Sequence, residues 1–396
     1  MTTTTPRVFV TGVGIISPAG AGGQAYWDGL CSTAPLFDEL PVLYAGMKPG
    51  ALGAWVPQSA REAAIAATKT ELGAKPRMAE IYAAYAATEA IEDAGLLAGD
   101  PSLSPRSMVC VGTSDGQADV LEAICTGVGD GSTRFSSAGI ASSVAEVVGS
   151  IGPAFVVNAT CASTNAALSC ARDALTSGIS ETAVVVGCDA YSQKNIIGFS
   201  SLQAIGPTGC RPFSRDRRFV TPAEGAGALV LQTERSLCQD QRPYAELVAA
   251  SISNDASHPT APDPAGVRRC HRRALDEAGL EASLIDVIYA HGTGSRVNDE
   301  IEGRIFVDDF PHAAVTAVKG TIGHMMGAAG AAGAVAACLT LRHRLVPPTV
   351  VDSSEIELEL NLVTGAARPV PNVRYVQNNA FGFGGNNAIS IFRQVS

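Results

Sequence analysis

Cys161 closes the apolar run Phe155-Val156-Val157 and opens the small-residue segment Ala162-Ser163-Thr164-Asn165-Ala166-Ala167-Leu168, a pattern that predicts a strand-to-helix turn. The first N–H groups of a helix lack internal acceptors and the helix dipole adds positive charge, so a thiolate is expected to be favoured there. Two histidines stand in comparable turns: His291 in Ala290-His291-Gly292-Thr293-Gly294, and His324 in Lys319-Gly320-Thr321-Ile322-Gly323-His324. A sulfur nucleophile with two imidazoles suits covalent acyl transfer. Lys319 follows an apolar strand pattern, where an ammonium needs a partner, and Glu302 is the candidate for a salt bridge that orients the histidines. Backbone N–H groups of the turn Phe381-Gly382-Phe383-Gly384-Gly385-Asn386-Asn387 are candidates for stabilising an oxyanion, against the plainer reading of a structural hairpin.

The elements that must position these residues alternate between short β-branched runs and Ala-rich helical ones, which predicts an α/β fold. Strands are expected at 8–10, 108–112, 155–157, 183–187, 225–232, 245–253 and 287–290, and two more in the tail 373–392. Helices are expected at 81–94 and 266–278, the latter ended by Gly279. A weak internal repeat runs through this order. Phe155–Val157, the Cys161 turn and a small-residue helix resemble Val315–Val318, the His324 turn and a small-residue helix. The segment 108–116 likewise resembles 287–294. Two similar halves, divided at 240/241, would bring Cys161 and His324 together near a pseudo-twofold axis, with Ala and Gly permitting close helix packing.

Composition narrows the class. With 396 residues, 46% hydrophobic and 17% charged, the chain can bury a large core. Its ten cysteines include no C-x-x-C spacing and no secretory apolar stretch follows the N-terminus, so a reducing, cytoplasmic protein without a structural metal is expected. The uncharged run Met325–Leu341 is built largely from Ala and Gly and is short for a membrane span, so it predicts a buried helix. A net charge of −10 argues against nucleic acid. Gly12-Val13-Gly14 after the first strand invites a dinucleotide reading, but Ser17 replaces the third glycine. His258, His271, His312 and His343 are expected to face solvent. Cys110, Cys170, Cys188 and Cys338 are expected to be small core residues.

Taken together, Ala159-Thr160-Cys161-Ala162-Ser163, His291-Gly292-Thr293-Gly294 with Asn298-Asp299 and Glu302, Lys319 with Gly323-His324, Gly327-Ala328-Ala329-Gly330, and Gly382-Phe383-Gly384-Gly385-Asn386 resemble the β-ketoacyl-ACP synthases. Arg211-Pro212-Phe213 and Glu224-Gly225-Ala226-Gly227 extend the likeness over nearly the whole chain. The resemblance implies a thiolase fold, two duplicated α/β halves in a five-layered αβαβα core, and a dimer. It implies that Cys161 takes an acyl group from an acyl carrier protein, with the N–H groups of Cys161 and Phe383 holding the oxyanion. Neutral His291 and His324 would then stabilise the enolate formed as malonyl carrier protein loses carbon dioxide, and a decarboxylative Claisen condensation follows. Lys319 and Glu302 match a supporting ion pair, Thr260, Thr293 and Ser295 match contacts of the phosphopantetheine arm, and Phe199 and Phe383 match gates of the acyl pocket. No cofactor of the protein's own is implied, since the phosphopantetheine belongs to the carrier.

The chain departs from the family's pattern around Arg211–Phe219, which lacks the usual acidic residue and glycine, at Thr221-Pro222-Ala223, and at Asn158-Ala159-Thr160 before the nucleophile. Gly294 in place of serine resembles polyketide-type enzymes. The resemblance therefore leans towards a discrete synthase of a type II polyketide or polyene pathway, with fatty-acid elongation as the alternative. Arg211, Arg215, Arg217 and Arg218 form the densest basic cluster and are expected to receive the acidic carrier, with a solvated loop as the competing reading. The partner subunit would be a second copy or a chain-length-factor-like protein, with this chain the cysteine-bearing member. A loading acyltransferase or decarboxylase, a papain-like hydrolase and a non-catalytic structural subunit are the rivals. A thiolase fits less well, because no cysteine follows Cys338.

Overall fold

The central strands are apolar or small almost without interruption and buried at successive positions, as expected of a sheet covered on both faces. The computed structural model describes residues 5–42, 47, 49–68, 77–96, 103, 106–127, 136–238 and 241–395. The principal strands are β1 (Val8–Ser17), β2 (Ser107–Gly112), β3 (Ala154–Val157), β4 (Thr182–Asp189), β5 (Gly225–Thr233), β6 (Ala245–Asn254), β7 (Val287–Tyr289), β8 (Ala314–Thr316), β9 (Tyr375–Gly382) and β10 (Asn386–Arg393). They line up as β8-β7-β9-β10-β6-β1-β5-β4-β2-β3. The first five strands and the last five therefore share one order. In both sets the second strand runs parallel to the third and fourth, and the remaining pairs are antiparallel. Only Phe9 with Glu246 and Val10 with Ala245 join β1 to β6. This is the duplication read from the weak repeat. The dividing position at 240 falls on residues 239–240, outside the described residues.

The main helices are α1 (Met78–Asp93), α2 (Ala138–Val148), α3 (Ser163–Thr176), α4 (Gln193–Ser201), α5 (Pro264–Ala278), α6 (Arg296–Asp309) and α7 (Ala329–His343). Met108 and Cys110 of β2, Val185 of β4 and Leu229 of β5 pack with α3 and α7, which also cover Leu247 of β6, Tyr289 of β7 and Val376 of β9. The opposite residues Val109, Val111, Val184, Val186 and Val230 pack under α1 and α2. On the far side, Ile288, Ile389 and Ile391 pack under α5 and α6. The layers are helix, sheet, helix, sheet, helix, with α3 and α7 in the middle.

Several expectations are corrected by this packing. Gly12-Val13-Gly14 is no turn but the interior of β1, which continues to Ser17. A Cβ at Gly12 or Gly14 would overlap the carbonyl oxygens of Ala90 and Ala86, so these glycines let α1 lie close on the sheet. His271 is not solvent-facing. It lies on the inner face of α5, 1% exposed, among Phe306, Phe310 and Phe381, and burial lowers its pKa to about 3. The uncharged run Met325–Leu341 is, as expected, a buried helix: a short 3-10 turn leads into α7, buried from Ala329 to Leu341. No helix among the described residues is long and apolar enough to cross a membrane.

Candidate active site

Cys161 stands between β3 and α3, at a turn whose preceding residue, Thr160, has φ 52°, in the left-handed region. Ser163 Oγ holds the turn by accepting from the Ala159 N–H at 2.9 Å and donating to the Thr160 carbonyl at 2.6 Å. The end of β9 lies directly against it. Thr160 Oγ1 donates to the Phe383 carbonyl at 3.0 Å, and a Cβ on Gly382 would sit 2.7 Å from the Ala159 oxygen and 3.1 Å from the Cys161 nitrogen. Cys161 as a residue is 8% exposed. The expected thiolate is not what the site favours at rest: burial pushes the Cys161 thiol up to about 12, Lys319 opposes this, and Asp189 and Asp115 add to it.

His291 follows β7 and His324 follows β8, so the duplicated topology delivers both rings to the Cys161 side of α3 and α7. Their centroids are 5.4 Å apart, edge to face. His324 Nδ1 accepts from the Met326 N–H at 3.2 Å, which leaves the ring proton on Nε2. His291 Nδ1 lies 3.3 Å from Lys319 Nζ, an ammonium that can only donate, so its proton is also on Nε2. Burial first, and then the Lys319 charge, hold both histidines well below the ordinary imidazole range; His324 adds to the effect on His291. Both rings are neutral N–H donors.

Lys319 and Glu302 are not the direct ion pair expected from their types. Lys319 Nζ donates to the His291 carbonyl at 2.6 Å. Glu302 accepts from the His291 and Gly292 N–H groups at 2.8 and 2.7 Å, and from Asn298 at 2.8 Å and Asn379 at 3.3 Å. The two charges grip opposite sides of the His291 backbone. Burial raises the Glu302 carboxyl to about 7 against its backbone donors, with Asp299 adding to the rise. Burial also lowers Lys319, which Glu302 partly restores.

Other positioning residues escape a motif-by-motif reading. Asp189, at the end of β4, accepts from Thr113 Oγ1 (2.6 Å), Ser114 N (3.0 Å), Ser114 Oγ (3.0 Å), Asp115 N (3.0 Å) and Gly327 N (2.6 Å). It thereby ties the β2 turn to the segment after His324. Thr164 Oγ1 donates to the Gly327 carbonyl at 2.5 Å, and Asn165 and Asn378 bond each other at 3.1 Å while Asn378 also donates to Gly330 O at 3.0 Å. The available signal for Asp189 was an acid closing the apolar run Val184-Val185-Val186, the same signal that picks out Lys319. For Thr164, Asn165 and Asn378 no sequence signal distinguishes them.

A cavity of about 320 Å³ opens onto Cys161, His291 and His324, and its walls include Phe199, Phe383, Thr260, Thr293 and Ser295. Phe199 and Phe383 face each other at 5.8 Å, the latter 37% exposed. Thr293 and Ser295 hydroxyls are 2.9 Å apart. The basic cluster divides. Arg217 is 4% exposed and pairs with Glu300 and Glu357, and Arg211 pairs with Asp216 and Glu355, so these two brace the loop and cannot act as free docking charges. Arg215 and Arg218 are exposed, and Arg218 lines the cavity. Among the described residues no group of three or more His, Cys, Asp or Glu is placed to hold a metal ion.

Comparison with known proteins gives a consistent result. Residues 5–236 match the family described as beta-ketoacyl synthase, N-terminal domain, and residues 244–351 match its C-terminal domain. Nodulation protein E of Rhizobium meliloti (strain 1021) is 31% identical over 98% of this chain and 99% of its own. The 3-oxoacyl-[acyl-carrier-protein] synthase 2 of Mycobacterium tuberculosis (strain ATCC 25618 / H37Rv) is 36% identical over 59% of each chain. The solved structure titled the ishigamide ketosynthase/chain length factor superimposes with a TM-score of 0.87 at 32% identity, covering 99% of this chain and 100% of that one.

Proposed function

The chain belongs to the β-ketoacyl synthase family of thiolase-fold condensing enzymes, and from that premise we propose that it extends an acyl group held on Cys161 with a malonyl unit, in a type II polyketide or polyene pathway. The observation that carries the reading is the convergence of Cys161, His291 and His324 on one cavity, with both imidazoles neutral and both Nε2 atoms carrying the proton.

Acylation is thioester exchange. Cys161 Sγ adds to the carrier thioester carbonyl, the new C–S bond forms, and the bond to the arm's sulfur breaks. The attacking species is the thiolate formed as the Cys161 proton departs during attack, and that proton ends on the departing arm thiol, so the exchange balances without a standing thiolate. The oxyanion formed on the way faces the N–H groups of Cys161 and Phe383. A malonyl thioester entering next places its carbonyl oxygen between the Nε2–H groups of His291 and His324. Loss of carbon dioxide leaves its electron pair as an enolate on that oxygen, which two neutral donors stabilise without a proton transfer. The enolate carbon attacks the acyl carbonyl, the C–S bond to Cys161 breaks with sulfur leaving as thiolate, and the thiolate takes up one proton from solvent, which balances the negative charge lost when the carboxylate departs as neutral carbon dioxide. Lys319 and Glu302 act through His291 as positioning residues.

The phosphopantetheine arm, supplied by the carrier protein, would pass Thr260, Thr293 and Ser295, and the Phe199–Phe383 pair would gate the acyl pocket. The partner subunit would be a chain-length-factor-like protein or a second copy, with this chain supplying the nucleophile, and the assembly would work in the cytoplasm. Intact-protein mass spectrometry of the wild type and Cys161→Ala with a panel of acyl carrier proteins, followed by malonyl carrier protein, tests the proposal. Acylation that requires Cys161, followed by a ketoacyl product two carbons longer, is the expected result. Acylation without elongation would replace it with a loading role.

A further inference from the structure

His271 is buried in the outer core layer and takes no part in the chemistry described above. It projects from α5 against Phe306 of α6, Phe310 just beyond that helix, and Phe381 of β9. Gln377 and Asn379 share this face of β9, because side chains alternate along a strand, and both are buried with it. The surrounding layer is apolar, with Ile288, Ile389 and Ile391 beside them. Gln377 Nε2 lies 3.1 Å from His271 Nδ1 and donates to Asn379 Oδ1 at 2.8 Å. Asn379 Nδ2 donates in turn to Glu302 Oε1 at 3.3 Å, the oxygen that also takes the His291 N–H at 2.8 Å. A line of hydrogen bonds therefore runs from α5 to the backbone of a catalytic histidine. Phe381 makes a second connection, its ring 6.2 Å from that of His271 and 5.8 Å from that of His291. Stability does not account for this line. His271 Nε2 and Gln377 Oε1 have no hydrogen-bond partner, and buried polar groups left so carry a penalty that apolar side chains of similar shape would not.

An amide has a donor end and an acceptor end, so the line has a direction. With the Gln377 amide N–H facing it, His271 Nδ1 accepts, which puts the ring proton on Nε2. Burial, with the Arg268 charge adding to it, keeps the ring neutral by lowering its pKa to about 3. A proton on Nδ1 would turn the Gln377 amide over, and the Asn379 amide with it. Asn379 would then present its carbonyl oxygen to Glu302, which only a protonated carboxyl could meet. We propose that His271 is a positioning residue for the condensation: as terminal acceptor it sets the direction of Gln377 and Asn379, and so holds Glu302 as the carboxylate that anchors the His291 backbone. This rests on the condensing-enzyme reading of the site and deepens it. Glu302 is sensitive to such a partner, because burial, with Asp299 of α6 adding to it, raises its carboxyl to about 7, while Lys319 stands on the other side of His291. Losing one directed donor raises it further.

The test measures decarboxylation of malonyl carrier protein and acylation of Cys161 in the wild type, His271→Leu, His271→Asn, and the double variant His271→Leu/Gln377→Leu. The double variant replaces both polar partners with apolar groups and keeps the fold available for measurement. His271→Leu is expected to slow decarboxylation about ten-fold at about pH 6 and less than about two-fold at about pH 9, where Glu302 is ionised in either protein. His271→Asn, whose Oδ1 can accept where Nδ1 does, is expected to restore most of the loss. The double variant is expected to repeat the pH-dependent loss with its urea stability retained, and acylation of Cys161 to stay near the wild-type rate throughout. In 15N-histidine NMR of the wild type, the His271 ring is expected to carry its proton on Nε2 and its signals to move as Glu302 titrates, although the ring itself stays neutral there. Equal losses at both pH values, a fully active double variant, or a wild-type ring protonated on Nδ1 near neutral pH would each overturn the inference. A wild type that neither acylates nor releases carbon dioxide would reject the condensing-enzyme reading instead, and the ring-nitrogen signals would still decide whether His271 is coupled to Glu302.

Discussion

Lys319 Nζ donates to the carbonyl oxygen of His291 at 2.6 Å and faces the same residue's Nδ1 at 3.3 Å, so one ammonium fixes both the backbone and the tautomer of the histidine. With Glu302 holding the His291 N–H on the other side, the ring's position is over-determined from within the protein. A ring set in this way presents Nε2–H to the cavity without reorganisation when charge develops on a substrate oxygen.

Replacing Lys319 with Ala leaves the His291 carbonyl without its donor and removes a charge that depresses the imidazole. Condensation is expected to fall by roughly a hundred-fold, the scale of losing one preorganised electrostatic partner. The sign of the pH effect is fixed: Lys319 lowers the His291 pKa, so its removal raises it, and the acid limb of the kcat profile moves to higher pH. A kcat profile whose acid limb stays in place would show that Lys319 does not set the state of His291.

Asp189 joins the β2 turn to Gly327 and is raised from 3.8 to about 6, by burial first and then by Asp115. Between those values the folded state binds more protons than the unfolded one, so this group's contribution is present below 3.8 and is lost as pH rises through about 6. Asp189→Asn is expected to flatten the pH dependence of unfolding free energy in that window. Urea titrations at its two ends check this, and an unaltered slope would contradict it.

Gly382 is where β9 meets the nucleophile turn. Gly382→Ala would place a methyl 2.7 Å from the Ala159 oxygen and 3.1 Å from the Cys161 nitrogen. The turn must shift, and single-turnover acylation is expected to slow at least ~10-fold, because thioester exchange depends on sub-ångström placement of the attacking atom. Urea unfolding is expected to report a loss of about 1–3 kcal/mol from the overpacking. Acylation at the wild-type rate would show that the turn absorbs the methyl.

Much of the framework was legible because it depends on local pattern. The strands 108–112, 183–187 and 245–253 were found within one or two residues, since a run of β-branched and small apolar residues has few other uses. The repeat linking the Cys161 and His324 turns was legible for the same reason. His271 was misread because the polar residues around it mark α5 as a surface helix, and only the packing of Phe306, Phe310 and Phe381 shows which stripe turns inward. The helix-start argument for a thiolate failed because burial, invisible in the sequence, outweighs the helix terminus.

Residue types and order by themselves determined the chemistry available: one thiol and two imidazoles in glycine-rich turns at the ends of predicted strands, in a duplicated α/β chain. The tertiary structure decided how that chemistry is held. It separated Lys319 from Glu302 and set each on the His291 backbone. It assigned Arg217 to the interior and Arg218 to the cavity, and it drew Asp189 into contact with Gly327 across 138 positions of chain. Spacing along a chain constrains only neighbours within a turn or a strand, whereas pairing, burial and charge are set by whichever distant segments share the same volume.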